Sequence, residues 1–157
     1  MHTLVVYDSQ FGNTQKIAES IAEAVKPRGS VRLIALTDLL PADFGRVDLL
    51  IVGGPTQRHG ISTRMRQFTD GLTARAIGLM AAAFDTRYRM PGLLSGSAAK
   101  TIARRLRRAG IPLAARPESF FVTRGQPSGL AAGETERAAE WARKLAIHCT
   151  VSQICAA

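Results

Sequence analysis

The chain has 157 residues, 46% hydrophobic and 21% charged, which suits a single globular domain over 1–157 with a substantial core. Leu4-Val5-Val6 is too short for the apolar region of a signal peptide, and Ala76 to Phe84 falls far short of a membrane span, so a cytoplasmic protein is expected. Cys149 and Cys155 have neither metal-site nor redox-motif spacing, nothing argues for a disulfide framework, and the formal charge of +9 points either to an anionic partner or to solvated helix faces.

In chain order, Thr3 to Tyr7 is nearly continuous in apolar character and predicts a strand buried on both faces. Asn13 to Lys26 predicts a helix, with Ile17, Ile21 and Val25 on one face and Pro27 and Gly29 stopping it. Val31 to Leu36 alternates as a half-buried strand would. Val47 to Val52 predicts a third strand, ended by Gly53-Gly54-Pro55. A helix over Thr63 to Leu72 buries Met65, Phe68 and Leu72. Ala76 to Phe84 predicts the fourth strand, with a loop beginning at Asp85. Ser97 to Ala109 predicts a helix in which Arg104, Arg105, Arg107 and Arg108 form the solvated face above buried Ile102 and Leu106. The fifth strand lies within Ile111 to Val122, edge-like because of Pro112 and Pro117. A last helix starts near Gly133-Glu134, with Ala138, Ala142, Leu145 and Cys149 on one stripe and Trp141 packing on the fold.

Strand-helix alternation of this kind predicts an open parallel sheet covered by helices on both sides. Ligands of such sheets bind beyond the carboxyl ends of the strands. That singles out residues 8–14, 53–60 and 85–92. Several familiar sites are excluded by residue type. No Lys-Ser/Thr pair follows Gly12, so there is no Walker loop, and a single glycine there is no dinucleotide fingerprint. No cysteine stands in the first loop, and Gly53-Gly54 stands where a receiver domain needs a carboxylate.

What remains is a phosphate cradle. Ser9 and Thr14 offer hydroxyls, Asn13 an amide, and Gly12 lets the backbone approach closely, while the following helix points its free N–H groups and positive end at the loop. A plain helix cap by Asn13 or Thr14 is the alternative.

Ser9-Gln10-Phe11-Gly12-Asn13-Thr14 resembles the phosphate loop of flavodoxins, (S/T)x(S/T)GNT before a helix, with Phe11 where that family commonly has a hydroxyl. The segment from Gly53 to Asp70 resembles the GxPTxxG…MxxFxD stretch of flavodoxin-like quinone oxidoreductases, and Phe84-Asp85-Thr86-Arg87 fits a bacterial flavodoxin-domain branch. The resemblance implies a flavodoxin-like α/β three-layer sandwich, with a five-stranded parallel sheet in the known order 2-1-3-4-5 and FMN at the β1/β3 switch point. It implies that Ser9, Gln10, Phe11, Gly12, Asn13 and Thr14 hold the FMN phosphate. Pro55, Thr56, Gln57, Arg58, His59 and Gly60 then border one side of the flavin, and Asp85, Thr86, Arg87 and Tyr88 the other, with Tyr88 as a stacking ring.

The function implied is an FMN-binding redox protein that passes electrons from a reductase or NAD(P)H to a small acceptor or protein partner. Electron carrier and NAD(P)H-dependent, quinone-reductase-like oxidoreductase both remain open. The competing reading is a flavodoxin fold that has lost FMN and acts as a basic binding module, supported by Phe11 and the charge of +9. Nucleic acid is disfavoured, because no aromatic residues interleave the arginines.

Overall fold

Two neighbouring strands divide the core in half. β1 (His2–Tyr7) and β3 (Leu49–Pro55) run parallel, with Val5 opposite Ile51 and Leu4 opposite Leu50. Successive side chains point to opposite faces of a strand, so Val5 and Ile51 enter one apolar cluster while Leu4, Val6, Leu50 and Val52 enter the other. The first cluster is closed by α1 (Asn13–Val25) and α4 (Glu134–Ala156), the second by α2 (Thr63–Gly71) and α3 (Ala98–Arg108). This is why β1 and β3 read as continuous apolar runs. The computed structural model describes residues 1–57, 60–72, 79–89, 96–125 and 128–156, with the side chains of the last helix described as far as residue 150.

With β2 (Ser30–Ala35), β4 (Met80–Tyr88) and β5 (Glu118–Val122), the sheet has the order β2-β1-β3-β4-β5, and every neighbouring pair is parallel. The expected order 2-1-3-4-5 is the observed one. Ile17, Ile21 and Val25 of α1 are fully buried, and each contributes roughly 1.5–3 kcal/mol of apolar burial. On α3, Ile102 and Leu106 are buried, while Arg104, Arg107 and Arg108 are solvated and Arg105 pairs with Asp70. Trp141 of α4 meets Phe84 and Phe120 edge-on, at ring separations of 6.4 and 6.1 Å.

Two strand ends differ from the sequence expectation. Gly53-Gly54-Pro55 continues β3 instead of ending it, because Gly53 faces the Phe84 ring: a Cβ there would stand 2.0 Å from Phe84 Cζ. The fourth strand begins at Met80 and runs on to Tyr88, so Asp85 to Tyr88 are ladder residues and not a loop. Asp85 is paired to Gly54 on one side and Ser119 on the other, and Thr86 to Pro55 and Phe120. Two flanking strands hold these polar residues extended. Residues 76–78 of the expected strand and 90–92 of the expected loop lie outside the described residues.

β5 is the sheet edge, as its prolines suggested, and the chain protects it. Ala131 N–H donates to the Phe121 carbonyl at 2.9 Å, and Phe121 N–H donates to the buried Glu134 carboxylate at 3.0 Å.

Candidate functional site

Residues after β1 turn into α1 through Gly12, which has φ 81°, a left-handed conformation that suits glycine. Gly12 N–H donates to Ser9 Oγ at 3.1 Å, and Gln15 N–H reaches the same oxygen at 3.4 Å. The cap position is therefore Gly12. The alternative of a cap by Asn13 or Thr14 is corrected, since both lie inside the first turn and make long-range bonds instead. Asn13 Nδ2 donates to the Ser128 carbonyl at 3.1 Å, and the buried hydroxyls of Thr14 and Thr86 lie 2.8 Å apart.

Beside this turn opens a pocket of about 110 Å³ at the carboxyl edge of the sheet. Gln10, Phe11, Asn13 and Thr14 supply one wall; Pro55, Thr56 and Gln57 from the end of β3 supply another. Thr86, Arg87 and Tyr88 from β4 complete it, with Val122 and Ser128. Gln57 Nε2 donates to Gln10 Oε1 at 2.8 Å, bridging the two loops, and this bridge also borders a wider, open cavity that runs past Gly60 to Ser62 and Arg66. Phe11 and Tyr88 stand on the rim, 77% and 42% exposed.

Three residues named from the sequence sit behind the pocket. Ser9 is engaged with the backbone of its own turn, and Gly12 shapes that turn. Asp85 is fully buried: its Oδ2 accepts from Thr56 Oγ1 at 2.9 Å, Ser97 Oγ at 2.7 Å and Ala99 N–H at 2.9 Å. Thr56 Oγ1 also accepts from Ala98 N–H at 2.9 Å. Asp85 and Thr56 thereby satisfy the open N-terminus of α3, where a carboxylate is favoured. Gly60 pairs with Gln57 through reciprocal backbone bonds and lines the wider cavity. Arg58 and His59 lie outside the described residues. Val122 and Ser128 were not foreseen: Ser128 contributes its carbonyl, and no residue-type signal marks a backbone oxygen.

The donor set suits a phosphate monoester. Hydroxyl- and amide-bearing residues, among them Asn13 and Thr14 of the first turn of α1, line the pocket with Arg87, and no Asp or Glu does among the described residues. Nearby, burial first and then Glu19 and Asp38 push the Tyr7 phenol up, so it stays neutral at ordinary pH. Among the described residues no group of three His, Cys, Asp or Glu could hold a metal ion, and no helix is long and apolar enough to cross a membrane.

A parallel sheet in the order β2-β1-β3-β4-β5, covered by helices on both faces and with a pocket beside the β1 and β3 ends, is an α/β architecture of the flavodoxin type. The profile of the flavodoxin family matches residues 5–141, and the chain belongs to that family. Members of the family bind FMN. A flavodoxin of Aquifex aeolicus (strain VF5) is 39% identical over 69 residues, 43% of this chain and 37% of that protein, so the match spans little more than a third of that relative's length. Among solved structures, a flavodoxin from the domain Archaea superposes with a TM-score of 0.78 at 20% identity, covering 96% of this chain and 99% of the other. The flavodoxin of Streptococcus pneumoniae TIGR4 gives 0.76 at 19% identity, covering 94% and 99%. At these identities the structural likeness speaks for the fold alone.

Proposed function

We propose that this chain binds FMN by its 5′-phosphate at the pocket beside Gly12 and transfers electrons, taking them from a reductase or NAD(P)H and giving them to a small acceptor or a protein partner. The observation that carries the reading is the pocket's chemistry. Hydroxyl- and amide-bearing residues and the first turn of α1 line it, the buried Asp85 carboxylate accepts from Thr56, Ser97 and Ala99 in the core, and Arg87 adds positive charge. At about 110 Å³ the pocket is smaller than the roughly 300 Å³ of an ordinary ligand site, which suits the phosphate end and leaves the ring to the rim.

Bound FMN supplies the redox chemistry, and the protein supplies position and field. Thr14 and Thr86 present hydroxyls from rigid elements, Gln10 and Gln57 hold the two loops together, and Tyr88 offers an aromatic face at the rim. Titrating the purified protein with FMN and with riboflavin, followed by visible absorbance and flavin fluorescence, tests this. FMN should bind clearly more tightly than riboflavin. Equal affinity overturns the phosphate assignment, and no binding of either leaves the basic binding module as the better reading.

A further inference from the structure

We infer that the side of the sheet covered by α2 and α3 is a docking surface for an anionic membrane, a property independent of the cofactor assignment. The charge of this chain is divided unevenly between its two layers of helices. α2 and α3 carry seven Lys and Arg against one Asp, and that residue, Asp70, is already engaged by Arg105. α1 and α4 carry four Lys and Arg against five Glu. A merely solvated layer needs no single sign, as α1 and α4 demonstrate. The formal charge of +9 therefore resides largely on one side of the molecule.

On α3, Lys100, Arg104, Arg107 and Arg108 recur at helical spacing and form one exposed stripe, opposite Ile102, Ala103 and Leu106 in the core. Arg64 and Arg66 carry the cationic surface onto α2, and none of these forms an ion pair with a described residue. Beside α2, on the same side of the sheet, residues 39–47 leave an apolar groove of about 590 Å³. The Phe44 and Phe68 rings in its wall stack at 6.2 Å. Leu40 lines it while 62% exposed, and exposed Arg46 stands between the lining residues Gly45 and Val47.

Cations beside exposed apolar surface match the two layers of an anionic leaflet. Its headgroups attract Lys and Arg, and its acyl boundary accepts Leu40 and the groove. A protein partner is disfavoured, because no large exposed apolar residue on α2 or α3 could anchor one. Nucleic acid would use the cations but give the groove and Leu40 no role. A leaflet laid along α2 and α3 leaves the pocket open, since the pocket lies at the carboxyl edge of the sheet, between the start of α1 and the ends of β3 and β4.

The test is co-sedimentation of the purified full chain, without added FMN, with vesicles of phosphatidylcholine alone or of phosphatidylcholine with phosphatidylserine. A ~30-bp duplex DNA, read by fluorescence anisotropy, is the competing polyanion. The chain should bind the phosphatidylserine vesicles and not the neutral ones, with affinity falling about tenfold between ~0.05 M and ~0.2 M salt. Each Lys or Arg near such a leaflet contributes about fivefold. Arg104→Gln with Arg108→Gln should therefore weaken vesicle binding about twentyfold, and Arg64→Gln with Arg66→Gln, on a separate helix, about tenfold or more. Lys16→Gln with Arg143→Gln lowers the net charge identically on α1 and α4 and should cost at most about twofold. Leu40→Gln should cost about threefold or more, a loss that persists at high salt. Every substituted side chain is exposed, so the variants test the surface and not the core. Binding that ignores phosphatidylserine content, equal losses in the control pair, an unaffected Leu40→Gln variant, or duplex DNA bound in preference to vesicles would each overturn the inference.

Discussion

Thr14 Oγ1 and Thr86 Oγ1 meet at 2.8 Å in the buried wall of the pocket, joining the first turn of α1 to β4 across 72 positions of sequence. One hydroxyl proton is used between them, so the pair has one more to offer. Thr86→Val leaves the Thr14 hydroxyl without this partner, and we expect a loss of about 1–3 kcal/mol in stability. FMN affinity should fall with it. Thr86→Ser should retain most of both. Urea unfolding of the FMN-free variants, together with FMN titration, checks the two effects separately.

Gly12 is held at φ 81° and a Cβ placed on it would meet nothing within 4 Å, so its substitution is a question of backbone strain and not of collision inside the protein. Gly12→Asn should be tolerated best. Gly12→Val, which is β-branched, should cost of order 1–3 kcal/mol and abolish FMN binding by reshaping the turn. Thermal unfolding and the FMN titration read this directly; a valine variant that binds FMN like the parent would remove the phosphate turn from the site.

Arg87 should raise the second one-electron potential of bound FMN, because it lines the pocket and favours added negative charge. A cation ~10 Å away at an effective dielectric of ~20 contributes about 1.7 kcal/mol. That corresponds to roughly 70 mV for one electron, since ~59 mV is a factor of ten. Arg87→Gln should lower the potential by up to that amount, less at high salt because the Debye length is about 10 Å at ~0.1 M. Photoreduction against reference dyes at two ionic strengths is the measurement, and an unchanged potential at low salt would refute the electrostatic role.

Burial pushes the Cys149 thiol up to about 11 from its ordinary 9.0. The folded protein holds this proton more tightly than the unfolded chain does. The corresponding stability is complete below about pH 9 and is lost as pH climbs through about 11, an amount of up to roughly 3 kcal/mol. Cys149→Ala should be less stable at neutral pH through the lost packing, yet show a shallower decline over that window. Chemical unfolding at several pH values compares the slopes; identical slopes would show that the thiol does not titrate with folding.

The order of strands and helices was legible because apolar runs and helical stripes repeat without interruption, and the phosphate turn because Ser9, Gly12 and Thr14 sit between a strand and a helix. The end of β4 was not. Asp85, Thr86 and Arg87 read as a loop by residue type, whereas pairing on both sides keeps them extended and three donors satisfy one Asp85 oxygen. Alanines 81–83 carry a helical preference that the same pairing overrides, since propensity is worth only about 1 kcal/mol per residue or less. Glycine 53 read as a terminator because its reason, the ring of Phe84, lies on another strand.

That glycine also constrains how the molecule can change over generations. With Phe84 in place, any side chain at position 53 has no room, and with glycine at 53 a shorter residue at 84 leaves a void beside Phe120 and Trp141. The two positions are open to drift only in a fixed order, shrinking at 84 before growing at 53. The first order passes through a protein with a cavity in its core, whereas the reverse order begins with a Cβ in the space of the Phe84 ring. Variation at this point of the sheet is therefore reached through variants with a loosened aromatic core.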